Sequence, residues 1–329
     1  MMESRSFSGT VGDLSGRIRL DRYAAETLGL HRSQIKTRLL EAKLNGKPVK
    51  FSRPVKTGDR VELCWLPAAP LYLKPEPIPL TIIYEDQRCV VINKSQGMVV
   101  HPGAGNHSGT LANALLWRRL YREEKGQTDR LDQPDMLDHL TDYRNGIVHR
   151  LDKDTSGVII AAYDDEALEE LSAQFRAGTV RKQYLAIVEG TPTETEGRIL
   201  SRLIRDPRDR KRFTAIPVEA AKSPGKTALT KYRLLKSWGD YTLLLLKPRT
   251  GRTHQLRVQL KYLGHPILGD PVYNPRYEPG RTRRGIAGAS LMLHASSLAI
   301  VLPGKSERLC FKAPLPEHFK KIMTALKCR

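Results

Sequence analysis

Two hydrophobic rhythms run along this chain, and the change between them marks its parts. Near the start the period is helical. Leu20, Tyr23, Ala24 and Leu28 fall on one face, with Gly29 placed to close the helix, and Ile35, Leu39 and Leu40 predict a second amphipathic helix. "NGKPV" then reads as a turn, and "GDRVEL" as a turn entering a short strand. Further on the period shortens. Thr81–Tyr84, Cys89–Asn93 and Met98–Val100 are β-rich runs, and Leu111–Leu120 returns to a helical pattern. Residues 121–145 are polar, charged and without period, which predicts a long loop or insertion. A helix is expected over Glu166–Phe175, with Leu168, Leu171 and Phe175 on one side. "RKQYLAIVEG" alternates like a strand, "RLIRDPRDRKRF" reads as a basic loop, and "ALTKYRLLKSW" with "YTLLLLKP" reads as a hairpin. "GRTHQLRVQLKYLG" predicts a turn leading into a helix, and "ASLMLHASSLAIVLP" and "RLCFKAPLP" predict closing strands. Strands in adjacent pairs, mixed with a few helices, predict an α+β fold and not a repeating βαβ pattern.

These rhythms divide the chain. Residues 1–15 are expected to form a flexible tail, 16–74 a small basic unit, 75–79 a stiff proline-rich linker and 80–329 the larger domain. Composition sharpens this picture through charge. The 329 residues carry 55 Lys plus Arg against 35 Asp plus Glu, a formal net charge of +20, with 40% hydrophobic residues to build a core. Such an excess attracts polyanions, so nucleic acid is the expected partner. Between Arg17 and Lys74 alone stand 13 basic residues against 5 acidic ones. A membrane partner would call for a basic amphipathic anchor, a lipidation motif or an apolar run of about 20 residues, and the sequence shows none. Cys64, Cys89, Cys310 and Cys328 lie far apart without metal-ligand spacing. They read as reduced thiols, which points to the cytoplasm.

One stretch carries concentrated chemistry. "HRLDKDTSG", residues 149–157, sets an arginine and two aspartates in a tight polar turn before the apolar run Val158–Ala162. It resembles a kinase catalytic loop in letters, but there the aspartate follows the arginine directly, and "GAGNHSG" has the wrong glycine spacing for a nucleotide loop. Carboxylates used for metal binding or phosphorylation normally sit at the end of an apolar strand, whereas here the strand follows them. Taken without context, Asp-Thr-Ser-Gly is a turn.

Context supplies a closer parallel. His-Arg-Leu-Asp, two variable residues and Thr-Ser-Gly match the signature of the RluA/RluD family of RNA pseudouridine synthases. The resemblance continues through "PIPLTIIYEDQRCVVINKSQGMVVHPGAGNHSGTLANALL", the tyrosine motif in "RKQYLAIVEG", and "GKTALTKYRLL" with the arginine motif in "TGRTHQLRVQLKYLGHPILGDPVYN". The basic unit resembles the S4-like RNA-binding domain that many members carry. Three positions depart from the pattern. Ser95 stands where proline is usual, Gln259 stands where histidine is usual, and the N-terminal unit is a few residues short around "RLLEAKLNGKPV".

The resemblance implies a pseudouridine synthase fold, with a mixed, largely antiparallel sheet and flanking helices beside a small α/β S4-like domain. It implies an isomerase that turns uridine into its carbon-linked isomer without cofactor or metal. Asp152 is then the catalytic residue, acting on the sugar, on the ring or on the sugar 2′ proton. A carboxylate in a base-shaped pocket loses water and needs a cation to stay ionised. Arg257 resembles the arginine that pairs with it, and Tyr184 the tyrosine that stacks on the target base. Leu256 lines the pocket, and Arg150 fills the RNA stack once the base has flipped, offsetting part of a cost of a few kcal/mol. His149 and His254 are expected near the substrate in structural roles. Thr155, Ser156 and Gly157 shape the turn that presents Asp152, with Gly157 allowing close backbone approach. Gly251 and Thr253 do the same for the second loop, where Arg252 adds a cation.

The cations of "RLIRDPRDRKR" (residues 202–212, six basic and two acidic) and of Arg276, Arg281, Arg283 and Arg284 are expected to neutralise phosphates. The expected partner is RNA: large-subunit ribosomal RNA or pre-ribosomal particles, with no membrane and no obligate protein partner. A transfer-RNA target, or a non-catalytic RNA-binding ribosome-assembly factor, is the alternative.

Overall fold

A computed structural model describes residues 4–14, 16–28, 39–65, 73–103, 105–123, 146–209, 212–220, 225–276, 286 and 289–328. The chain divides into two units, Met1–Tyr72 and Leu73–Arg329.

In the first unit, strands β1 (Arg5–Thr10), β3 (Leu39–Leu44), β4 (Lys47–Pro48) and β6 (Arg60–Trp65) form an antiparallel sheet in the order β1-β6-β3-β4. β2 (Ile18–Arg19) and β5 (Pro54–Val55) make a small second pair, and α1 (Leu20–Thr27) buries Leu20, Ala24 and Ala25 against Val55, Val61 and Leu63. The turn at Asn45–Gly46 has positive φ at both residues, as a tight two-residue hairpin requires. Two expectations are corrected. The tail over 1–15 contains β1, whose six residues are all registered against β6. Leu39 and Leu40, expected on a helix, begin β3; Ile35 lies outside the described residues. "RLLEAKL" has good helix formers, but pairing with β6 overrides that local preference.

The second unit is built on one ten-stranded sheet. Its strands are β7 (Thr81–Glu85), β8 (Cys89–Lys94), β9 (Ser156–Ala162), β10 (Arg181–Glu189), β11 (Glu196–Arg205), β12 (Phe213–Ile216), β13 (Lys226–Ser237), β14 (Tyr241–Pro248), β15 (Leu293–Val301) and β16 (Arg308–Lys312). They run in the order β12-β11-β13-β14-β10-β15-β9-β8-β7, with β16 also on β15. The described pairs are antiparallel except β9 with β15. This is the mixed, largely antiparallel α+β architecture that the sequence implies.

Alternation on the central strands sorts the helices. Val91, Val158 and Ile160 face α3 (Asp165–Ala177), whereas Val90, Ile92, Ile159 and Ala161 face α2 (Leu111–Glu123). α4 (Gln255–Tyr262) and α5 (Glu317–Lys327) bury Leu256, Leu260, Phe319 and Ile322 against β10, β13 and β14. No helix among the described residues is long and apolar enough to cross a membrane.

Several elements differ from expectation. The segment before β7, expected as a linker over 75–79, lies within the second unit. Glu76 accepts from Gly109 N–H at 3.0 and 3.2 Å, and Asn113 Nδ2 donates to the Lys74 carbonyl at 2.8 Å. Met98–Val100 is not a strand. The expected basic loop begins inside β11, which holds Arg202 and Arg205. Residues 124–145 of the expected insertion, together with Arg281, Arg283 and Arg284, lie outside the described residues.

Candidate active site

Two loops meet at a cavity of about 480 Å³. The first is "HRLDKDT", which enters β9. The second is "RTGRTH", which enters α4.

The first loop is pinned from beneath by side chains that reach backbone atoms. Lys94 ends β8 with its side chain buried, and Nζ donates to the carbonyls of Ser95, Met98 and Lys153 at 2.8–3.0 Å. Burial pushes its pKa down to about 8, against the opposing pull of Asp154 and Asp152. Gln96 Nε2 donates to the carbonyls of Asp154 and Leu291, each at 2.9 Å. Thr155 N–H closes the turn on the Asp152 carbonyl at 3.1 Å. At Gly157 φ is +114°, and a Cβ would sit 2.1 Å from the Ala295 carbonyl oxygen. Only glycine lets β9 lie against β15 there.

The second loop is shaped by Gln255, whose Oε1 accepts from Thr250 Oγ1 at 2.7 Å and from Arg252 N–H at 3.0 Å. Gly251 and Thr253, expected to shape this loop, are exposed. The loop ends at His254, which enters α4 with φ +54° and ψ +19°. That left-handed conformation costs a non-glycine residue about 1–2 kcal/mol. Tyr273 supplies an anchor. Its hydroxyl accepts from Phe213 N–H at 3.0 Å and lies 2.7 Å from His254 Nδ1. The other ring nitrogen, Nε2, stands 4.0 Å from Asp152 Oδ1. Burial lowers the pKa of His254, with Asp152 opposing and Arg257 adding to the shift.

Arg257 joins the two loops. Its Nε and Nη2 grip Asp270 at 2.7 and 2.8 Å, and Nη1 reaches Asp152 Oδ2 at 3.3 Å. Asp270 is fully buried and also accepts from the N–H groups of Val272 and Tyr273. Burial opposes the charge on Arg257, but the hydrogen bonds and charge of Asp270, then of Asp152, raise its pKa and hold it cationic. Asp152 keeps 16% of its side chain open to the cavity. Tyr184 stands on β10 with its hydroxyl bonded to no described residue, and burial together with the Asp152 charge raises its pKa.

The residues expected at the site are mostly brought together. Asp152, Tyr184, Arg257, Leu256, Arg150, Thr155, Arg252, Thr253, His149 and His254 all line the cavity. Arg150 and Arg252 are exposed at it. Gly157, expected beside the substrate, does not line it, because its role is spent in the β9–β15 contact. His149 is occupied structurally. Its Nε2 accepts from Ile160 N–H at 3.1 Å, its ring stacks on Phe175, and burial with nearby Lys182 pushes its pKa down to about 3. Gln259, in the usual histidine position, is a buried knot bonded to Ile199, Ser201, Ala228 and Thr230.

Sequence reading missed Asp270, Tyr273, Lys94, Lys182 and His101. Lys182 and His101 line the cavity, Lys182 two residues before Tyr184 on the same strand face. Asp270 and Tyr273 stand in "LGDPVYN", where a buried arginine's need for a second carboxylate was the available signal. Among the described residues no group of three or more His, Cys, Asp or Glu side chains is placed to hold a metal ion.

Comparison with known proteins decides the family. The RNA pseudouridylate synthase family matches residues 88–262, more than half of the chain. This chain is an RNA pseudouridine synthase. It is 41% identical over 314 residues to "Ribosomal large subunit pseudouridine synthase D" of Borreliella burgdorferi, covering 92% of this chain and 87% of that one. It is also 41% identical over 330 residues to an uncharacterized RNA pseudouridine synthase of Chlorobaculum parvum, covering 96% of each. The solved structure of human RNA Pseudouridylate Synthase Domain Containing 4 superposes with a TM-score of 0.54 at 26% identity, covering 75% of this chain and 93% of that one. The synthase is thus an isomerase that converts uridine to pseudouridine in RNA.

Proposed function

We propose that this synthase isomerises uridines of large-subunit ribosomal RNA in the cytoplasm, with Asp152 as the catalytic group. The observation that carries the assignment is the unequal coordination of Arg257. Asp270 takes two short bonds and Asp152 one long one, so Asp152 keeps lone pairs free to react while its cationic neighbour is held still. In the reaction the N1–C1′ bond breaks, the base turns, and C5 bonds to C1′. A proton leaves C5 and N1 gains one, so the net composition is unchanged. Asp152 attacks the sugar or the ring, or takes the sugar 2′ proton. Tyr184 stacks on the turning base, and Arg150, exposed at the mouth, enters the gap that the flipped base leaves. Residues 16–74 act as an S4-like RNA module, a reading supported by their basic composition.

The ribosomal target draws support from the name of the Borreliella relative. The test incubates the protein with unmodified large-subunit ribosomal RNA and maps pseudouridines by carbodiimide labelling and reverse-transcription stops. New stops at discrete positions are expected. Stops only on transfer RNA would move the substrate, and RNA binding without stops on either would contradict the catalytic assignment.

A further inference from the structure

The outward face of the sheet carries charge that the cavity does not use. Register places Arg198 of β11 opposite Lys231 of β13, and Lys231 opposite Lys247 of β14. Residues directly opposite point to the same face, and Arg233 shares it two residues along from Lys231. All four are exposed, and none has an ion pair or side-chain hydrogen bond among the described residues. They line a groove of about 540 Å³ in which Glu196 is the acid. Glu196 stands opposite Arg233 without a salt bridge to it.

This arrangement is costly for an isolated sheet. Like charges directly opposite on neighbouring strands repel, and two strand spacings of about 4.8 Å put three cations in a row about 10 Å long. A polyanion laid across the row removes the repulsion. The row also leads somewhere. Arg249, two residues beyond Lys247, is exposed and lines the catalytic cavity.

We propose that this face is a second RNA-docking surface, on which a strand running to or from the cavity lays its phosphates along Arg249, Lys247, Lys231 and Arg198. The proposal rests on the reading that the cavity takes the target uridine. Point cations on a polar sheet suit a phosphate backbone, which needs charge and no base-specific contacts. A protein partner would want an apolar centre, and the groove offers only the partly buried Leu245 beside the buried Tyr232.

The test uses the full chain and a long transcript of large-subunit ribosomal RNA, with affinity measured across a series of salt concentrations. The variant is Lys231→Gln with Lys247→Gln. The control is Lys305→Gln with Lys312→Gln, which removes the same charge from two other exposed lysines. The first pair is expected to weaken binding roughly tenfold near physiological salt and to flatten the salt slope by about two. Its isomerisation rate at saturating RNA should match the parent. The control should bind as the parent does. Parent-like affinity and slope in the first pair would overturn the proposal and leave the face to a different partner, such as an acidic protein. Equal losses in both pairs would also overturn it, because net charge would then explain them. Binding is read independently of turnover, so an inactive parent would refute the catalytic reading without deciding this one.

Discussion

The turn at Asp270 and the loop at Asp152 present two carboxylates to one arginine, and they do so in opposite ways. Asp270 has no exposed side-chain surface and accepts four hydrogen bonds, two from Arg257 and two from backbone N–H groups. Asp152 is partly open and receives a single bond of 3.3 Å from the same guanidinium. A saturated carboxylate is a fixture, because its lone pairs are committed and its charge is cancelled. An under-coordinated one beside a fixed cation retains lone pairs for chemistry. On the proposed reading the cavity divides the labour: one aspartate builds the site and the other acts.

Breaking the fixture should have the largest effect on stability. Asp270→Asn leaves Arg257 buried with half its pairing, and is expected to cost about 3–5 kcal/mol in urea unfolding. Parent-like stability would mean that the Arg257–Asp270 pair does not hold the second loop. Lys94→Met tests the support under the first loop. It strips three carbonyls of their shared donor and should cost about 2–3 kcal/mol, with a loss of turnover as the Asp152 loop loosens. Unchanged turnover would show that the loop keeps its shape without that lysine.

A separate effect should appear with pH. His149 has a folded-state pKa of about 3, against about 6.5 when unfolded. Between those values the unfolded chain binds a proton that the folded chain refuses, so stability falls as pH drops through that window. His149→Gln should flatten this fall in urea midpoints measured from pH 7 to pH 4, and an identical slope would remove His149 as its source.

The same contrast explains what could be read from sequence. Asp152, Tyr184 and Arg257 sit in ordered motifs, and their meeting at one cavity was legible there. Asp270 was not, because its importance arises only when the chain returns to Arg257 and buries both. Lys94 was hidden for a related reason: a lysine ending an apolar strand suggests solvent, and its three acceptors come from loops that only the fold assembles. In β11 the exposed Leu200 and the arginines around it blurred an alternation that Ile199 and Leu203 in fact keep. β1 is polar and short, and it exists by pairing with β6. By contrast, Phe319, Ile322 and Leu326 of α5 lie at plain helical spacing, a signal that was present and passed over.

The central claim is that Asp152 reacts and Asp270 holds. It is tested most directly by the single-turnover rate of uridine isomerisation with Asp152→Asn at saturating ribosomal RNA. The variant should bind RNA as the parent does, unfold at the same urea concentration within error, and lose at least roughly 10²–10⁴-fold in rate. Isomerisation at the parent rate would contradict the account and return the catalytic role to another group in the cavity.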